Sequence, residues 1–374
     1  MKKENKNTID VFYALVQAGL WERDICLLPY APVDYDLLRK ISEEQSLIGL
    51  IAAGFEHVID IKIPKPDALQ FIGQTIQLEQ RNKAMNYFID VMVEKIREAG
   101  IELLLVKGQG VAQCYERPLW RSCGDVDFLL NEENYCRAKA FFKPLADSMA
   151  KEGKYTREQE LTIDPWVIEL HGTLRTELSS TIDRYLDVLK DDATVRGCVR
   201  VWRNGNTDVL LPNPDIDVIF IFTHFLKHFY KGGIGLRQIC DWCRLIWIFR
   251  SDLDTRLLAK RLVSMKLMTE WKAFSAFAVE YLGMPSDALP FYSPEAKWKR
   301  KAARISSFII EVGNFGHNRD QSYMNKYPFI IRKAISFVQR CKDILRHMMV
   351  FPMNSIRFLP SIIFNGMRNA VNVP

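Results

Sequence analysis

Two aspartates one residue apart, Asp125 and Asp127, stand in the short run Gly124-Asp-Val-Asp-Phe-Leu-Leu130. In a β-strand, residues two apart point to one face, so both carboxylates aim into the same small volume. Like charges that close repel unless something positive neutralises them, and apolar strand neighbours offer no such partner. A divalent cation does, and oxygen ligands completed by phosphate and water suit Mg²⁺. A third acid, Glu169, is embedded in the apolar run Trp166-Val-Ile-Glu-Leu-His171. Taken alone it reads equally as a structural ion-pair partner. In a strand beside Asp125 and Asp127 it becomes the natural third ligand. Three carboxylates holding two Mg²⁺ ions are what phosphoryl transfer requires. Asp125 and Asp127 then bridge both ions, and Glu169 holds the ion that activates the acceptor.

The residues before the acids fit the same chemistry. An apolar strand, residues 101–106, runs into Lys107-Gly108-Gln-Gly110. Glycines at 108, 110 and 124 let backbone N–H groups approach a nucleotide closely, and a helix beginning near Gln109 turns its positive end there. Lys107 supplies a point charge for phosphate oxygens and Arg121 a planar fork. A lone Asp-x-Asp reads more simply as a solvated turn. The joint order of strand, Lys-Gly, helix, Arg, Gly-Asp-x-Asp and strand is far more specific.

The elements that must position these groups form an α+β chain. A small mixed β-sheet core is flanked by helical regions at both ends. The expected divisions are an N-terminal helical region, 1–100, and an α/β core, 101–212. A helical region completing the cleft, 213–284, and a basic helical C-terminal region, 285–374, follow. In the first, a long helix over about 67–99 carries a stripe from Phe71, Ile72 and Ile76 through Met85 and Ile89 to Ile96, and Gly100 stops it. In the core the order is strand 101–106, helix 109–117, strand 125–130, helix 132–146, an extended stretch 155–163 and strand 166–170. Asp164-Pro165 makes a turn between the last two, and Asn204-Gly205-Asn206 joins the extended stretches 195–202 and 208–211. Helices are expected over 216–230, 236–249, 255–266, 270–282, 296–312 and 328–349, with the last twenty residues irregular.

Length and composition bound the class. At 374 residues, 48% hydrophobic and 26% charged, the chain is an ordered globular protein with room for a sizeable core. The polar start has no apolar core of a signal sequence after it, and no run of about 18 apolar residues spans a bilayer. Eight scattered cysteines point to reduced thiols and a cytoplasmic setting. Charge is uneven: Glu295–Pro374 holds 14 Lys/Arg against four acids, an excess of +10, while the whole chain carries +6, so the rest carries −4. The segment 330–342 alternates apolar and basic residues at helical spacing. Packing of its apolar face on the body is the simpler reading. Peripheral contact of this basic region with an anionic membrane is the sharper one.

Lys107-Gly108, Tyr115, Pro118, Arg121, Gly124-Asp-Val-Asp127-Phe-Leu and Glu169-Leu-His171 together resemble the bacterial uncharacterised nucleotidyltransferases. That family is a branch of the superfamily sharing the DNA polymerase beta catalytic fold, and its genes often accompany surface-polysaccharide assembly. The resemblance covers about 69–282 and takes in His224, His228, Leu236-Arg237 and Asp241. It implies Mg²⁺ dependence and transfer of a nucleoside monophosphate from a nucleoside triphosphate. It also implies a cleft wall containing His171, His224, His228, Arg237 and Asp241. One departure is plain: the superfamily's glycine-serine pair is replaced by Lys107-Gly108-Gln109-Gly110, with the lysine expected to take over the triphosphate.

By spacing alone, His224 and His228 suit a transition metal but read better as a packed or substrate-facing pair. Arg237 and Asp241 read as an i,i+4 ion pair, and Cys240/Cys243 as two buried thiols. The acceptor stays open among a sugar, a lipid-linked intermediate, a protein side chain and an RNA end. A catalytically inactive nucleotide-binding or scaffold protein of an envelope-polysaccharide pathway is the second reading. RNA-end modification is the third.

Overall fold

Strand β2 (Asp125–Leu129) lies second in a five-stranded mixed sheet with β1 (Leu104–Val106), β3 (Ser148–Met149), β4 (Glu158–Ile163) and β5 (Trp166–His171). The order is β1-β2-β5-β4-β3; β2 and β5 run parallel and the other pairs antiparallel. The computed structural model describes residues 3–153, 156–314, 326 and 328–371. Tyr155, where the extended stretch was expected to start, lies outside them. Helix α6 (Glu132–Phe142), β3 and β4 supply the long connection that a parallel pair needs.

Register follows from alternation. Asp127 stands opposite Glu169, with Asp125 and His171 two residues away along their strands, so all four belong to one face. The other face is apolar. Val126, Phe128, Ile168 and Leu170 pack against Tyr135, Ala138 and Phe142 of α6 and against the second half of α4 (Lys65–Glu98). Slipping one strand by a residue would bury the acids and expose this core, which fixes the register.

In α4 the buried seam runs Phe71, Thr75, Asn82, Met85, Ile89, Met92 and Ile96. Ile72 and Ile76, expected in the stripe, are 50% and 51% exposed. They lie one position off the seam, too far round a 3.6-residue turn to reach the core. Past the sheet, α7 (Ser180–Thr194) is a helix that the sequence reading left unassigned, capped by the Ser179 side chain on Ile182 N–H. A separate hairpin follows, β6 (Val199–Asn204) with β7 (Thr207–Pro212), turning at Gly205 with φ 60°.

The helical body holds α1 (Lys3–Trp21), α2 (Tyr35–Glu44), α3 (Ile48–Phe55), α8 (Pro214–Lys231), α9 (Leu236–Phe249), α10 (Thr255–Met265), α11 (Met268–Leu282) and α12 (Ala296–Val312). One core joins its two ends: Phe12 and Leu15 belong to the same cluster as Phe222, Trp242, Trp271 and Phe274. Tyr13 Oη lies 2.9 Å from Ser306 Oγ across that join.

Three further expectations need correction. The helix after Lys107, α5, spans only Gly108–Ala112 and not 109–117. Pro118 bars helix at the residue before it and opens a 3₁₀ turn, Pro118–Trp120. Helix 132–146 stops at Phe142, leaving room for β3. The last twenty residues are mostly helical: after α13 (Phe329–Val350), α14 runs Pro352–Val371. Pro352 suits the first position of a helix, while Pro360 costs a backbone bond that burial of Phe358 and Ile362 offsets. Among the described residues no helix is long and apolar enough to cross a membrane.

Candidate active site

Strand β1 ends at Val106, opposite Asp127, and the next residue places its side chain over the acids. Lys107 has φ 57° and ψ −145°, a region that only glycine occupies without strain. Its Nζ lies 2.6 Å from Asp127 Oδ1. His171 Nε2 lies 2.8 Å from the same oxygen and 3.3 Å from Glu169 Oε2. Ligand atoms of Asp127, Glu169 and His171 fall within 4.8 Å of one another. Asp125 is outside this tight cluster and lines the same cleft. Among the described residues its carboxylate has no hydrogen bond or ion pair.

Charge in the cluster is strongly redistributed. Burial opposes charge on Lys107, but Asp127, Glu169 and Asp125 outweigh it and hold the ammonium above the usual lysine range. Burial likewise opposes charge on Asp127, and Lys107 and His171 outweigh it, so this carboxyl stays below the usual range. Asp125 is pushed up, first by the Asp127 charge and then by burial. Glu169 is pushed up by burial and Asp127 against the opposing His171 hydrogen bond. One carboxylate is thus held as an anion by its cationic partners, while burial and the Asp127 charge disfavour the anionic form of the other two.

The cleft, about 190 Å³, also takes in Gly108, Arg121, His224, His228, Arg237 and Asp241. Gly110 and Gly124 are not among its walls. A Cβ on Gly110 would lie 2.8 Å from Leu211 Cδ2, so this glycine allows the β7 hairpin to close on α5. Gly108 has φ 38° and needs the freedom of glycine. With five residues, α5 is too short to offer the positive end that the sequence suggested.

Arg121 does something other than expected. It is buried, and Nε and Nη2 donate to Asp241 Oδ1 and Oδ2 at 3.0 and 2.7 Å. Tyr115 Oη donates to Asp241 Oδ1 at 2.8 Å. The i,i+4 pair of Arg237 with Asp241 is therefore absent: a buried two-pronged contact outcompetes a surface helix pair worth about 0.3 kcal/mol. Arg237 instead donates to the Ser122 carbonyl. Only Nη1 of Arg121 is uncommitted.

His224 and His228 face each other with Nε2 atoms 3.0 Å apart. Burial and Lys107 hold His224 well below the usual range; burial and Lys227 bring His228 down to about 3. Both shifts favour the neutral imidazole, as a pair sharing a proton between its Nε2 atoms requires. Cys240 and Cys243 are buried free thiols.

Among the cleft residues that escaped the sequence reading, Glu158, Lys227 and Gln238 bear most on its chemistry. Glu158 stands opposite His171, and its carboxyl, despite burial, is held down by His171, Lys227 and Lys107. Its place two residues before Glu160 on an alternating strand was the available signal. Lys227 forms no hydrogen bond or ion pair among the described residues. Gln238 is buried at the cleft wall with Oε1 unpartnered. Nothing in a helical sequence marks either one.

The strain at Lys107 can be measured apart from its charge. Lys107→Gly and Lys107→Ala both remove the amine, but only glycine relaxes the backbone. Denaturant unfolding should find the glycine variant more stable than the alanine variant by about 1–3 kcal/mol. Equal stabilities would mean that this backbone is not strained.

No curated protein and no solved structure matches the chain. Residues 31–283, more than half of its length, match the family described as uncharacterised nucleotidyltransferase. The chain belongs to that nucleotidyltransferase family.

Proposed function

We propose that the chain transfers a nucleoside monophosphate from a nucleoside triphosphate to a hydroxyl or phosphate of an acceptor, with Mg²⁺ as the required ion. The observation that supports this most is the meeting of Asp125, Asp127 and Glu169 on one sheet face with a strained Lys107. The donor chemistry fits the ion. These are hard oxygen ligands, and one of them, Asp125, has no protein partner among the described residues. Asp125, Asp127 and Glu169 would hold it. Bound there, it supplies charge neutralisation and polarisation of the reacting phosphate.

The chain's own residues do the rest. His171 holds the Asp127 carboxylate in orientation through its Nε2 contact, as partners behind a metal ligand commonly do. Lys107 Nζ and the cations Arg237 and Lys227 bind and orient the triphosphate in the cleft. Glu169, its carboxyl pushed upward, takes the proton from the acceptor hydroxyl at a carboxylate oxygen. Phe220 and Ile221 line the helical side and exclude water. The acceptor belongs to surface-polysaccharide assembly inside the cell in this reading, as a sugar or a lipid-linked intermediate. A lipid-linked acceptor brings contact with an anionic membrane with it.

Lys107→Ala should weaken binding of a triphosphate by about tenfold or more, the worth of one charge-assisted hydrogen bond, and leave nucleoside binding nearly unchanged. Calorimetry with both ligands checks this; equal losses would make Lys107 a structural group. The function itself is tested by incubating the protein with each labelled triphosphate, Mg²⁺ and a host extract, then identifying what becomes labelled. Nucleotide binding without any transfer would favour the inactive scaffold reading.

A further inference from the structure

The C-terminal helices are apolar on two sides. On the inner side of α13, Asp343, His347 and Val350 are buried, and the His347 ring lies 4.7 Å from that of Phe229. On the inner side of α14, Phe358 and Ile362 are buried, and Asn354 donates to Glu270 Oε1 at 2.7 Å. These contacts fix both helices to the body. The simpler reading of 330–342 left a basic face in water, and no helix was expected over the last twenty residues; the outward faces of both helices carry aliphatic side chains. On α13, Ile331, Val338, Leu345 and Met349 recur at seven, seven and four residues, which places them on one outward line. On α14, Met353, Ile356 and Ile363 recur at three and seven residues, on one face of that helix. All seven are between 44% and 80% exposed. The side chains of Phe329, Ile330, Lys333, Ala334 and Phe337 lie outside the described ones, and so do those after Ile363.

A soluble surface scatters exposed aliphatic residues singly; a continuous row marks a surface made to be covered. The row also lies beyond the stretch that matches the family, so the shared catalytic body does not account for it. Its charge says what covers it. Lys342 is exposed within the row, and Arg346 borders it, with Glu311 at 2.7 Å as its one acidic contact among the described residues. Arg304 and Lys301 reach the Met349 and Val350 carbonyls at the junction of the two helices. The segment from Glu295 carries 14 Lys/Arg against four acids. A second copy docked row to row would bring two such cationic segments together. An anionic bilayer surface complements both the aliphatic row and its cationic rim.

We propose that the outward face of α13 and α14 is a peripheral membrane-docking surface, seated in the headgroup region of an anionic bilayer with both helices lying flat. The inward contacts dictate that posture, because a helix docked along its length on the body offers the bilayer only its flank. The cleft is a separate feature of the molecule, and the proposal stands whether or not the transfer reading does.

The test uses the full chain with vesicles of phosphatidylcholine alone and of phosphatidylcholine mixed equally with phosphatidylglycerol. The protein should sediment with the mixed vesicles and stay in solution with the neutral ones. The double variant Leu345→Glu/Met349→Glu should bind the mixed vesicles about tenfold or more weakly. Both side chains are exposed, so its circular dichroism and Tm should match the wild type. Lys342→Glu, which keeps the aliphatic row, should lose part of the binding, and the binding that remains should be less sensitive to salt. Three outcomes overturn the proposal: no binding to either vesicle, binding indifferent to lipid charge and to the double variant, or a lipid-free dimer that the double variant dissociates. The last would assign the row to a second copy of the chain.

Discussion

Asp127→Asn is expected to lower the transfer rate by about a thousandfold or more, since several kcal/mol of transition-state charge stabilisation act through that carboxylate. The exchange is nearly isosteric, yet the geometry predicts a loss of stability as well. Lys107 and His171 both rest on Asp127 Oδ1, and a neutral amide leaves the buried Lys107 ammonium without its closest counter-charge. Asp125→Asn should abolish transfer with the opposite effect on stability. Its carboxylate is unpartnered among the described residues and repelled by Asp127, so neutralising it should raise the Tm of the metal-free protein. The pH dependence carries the sign. Asp125 has a raised folded pKa, so the wild type regains that stability as pH falls through it, and the gap to Asp125→Asn closes. Asp127 has a depressed folded pKa, so its contribution is present above the unfolded value, about 3.9, and lost as pH falls below it toward the folded one. Mg²⁺ should raise the Tm of the wild type more than that of Asp125→Asn. Thermal unfolding of the two variants with and without Mg²⁺ decides this. A lower Tm for both would show that Asp125 is a structural ion-pair partner.

The parts legible in the sequence were those written at short range. A period of two put Asp125 and Asp127 on one face and Glu169 and His171 on one face, and an apolar alternation demanded a core behind them. Gly205 and Asp164-Pro165 announced their turns. What failed were relations across long separations. The last twenty residues read as irregular, and burial of Phe358 and Ile362 explains why a helix persists there through Pro360. Ile72 and Ile76 satisfied a helical pattern on α4, but which face meets the sheet is decided by the sheet. His171 was read as a wall of the cleft and stands inside the acidic cluster, because strand register, not composition, brings its ring onto Asp127. Arg121 was assigned to phosphate for its planar fork and its place flanking the acids. Its protein partner Asp241 lies 120 residues away, on a helix that no local pattern connects to it.

That partnership should make Asp241 one of the most stability-sensitive positions in the chain. Asp241→Ala leaves the Arg121 guanidinium and the Tyr115 hydroxyl buried without their acceptor, and breaking a buried pair from one side costs about 3–5 kcal/mol. The loss should appear as a fall in Tm and in the denaturant midpoint. Because Arg121 and Asp241 join the loop before β2 to helix α9, the two sides of the cleft should loosen together. Proteolysis at the bonds around Ser122 and Gly235 should then quicken before global unfolding. Replacing both partners with apolar residues, Arg121→Met with Asp241→Leu, removes the uncompensated charge and should recover part of the loss, so the two substitutions should be strongly non-additive. Additive losses would show that the pair is not coupled. Arg121→Met alone separates the two roles open to this residue. If Arg121 is the strut that its contacts describe, Tm falls and triphosphate affinity follows only through the loosened cleft. If Tm holds while triphosphate binding alone weakens, the free Nη1 is the working end, and Arg121 is the phosphate ligand that its position beside Gly124 suggested.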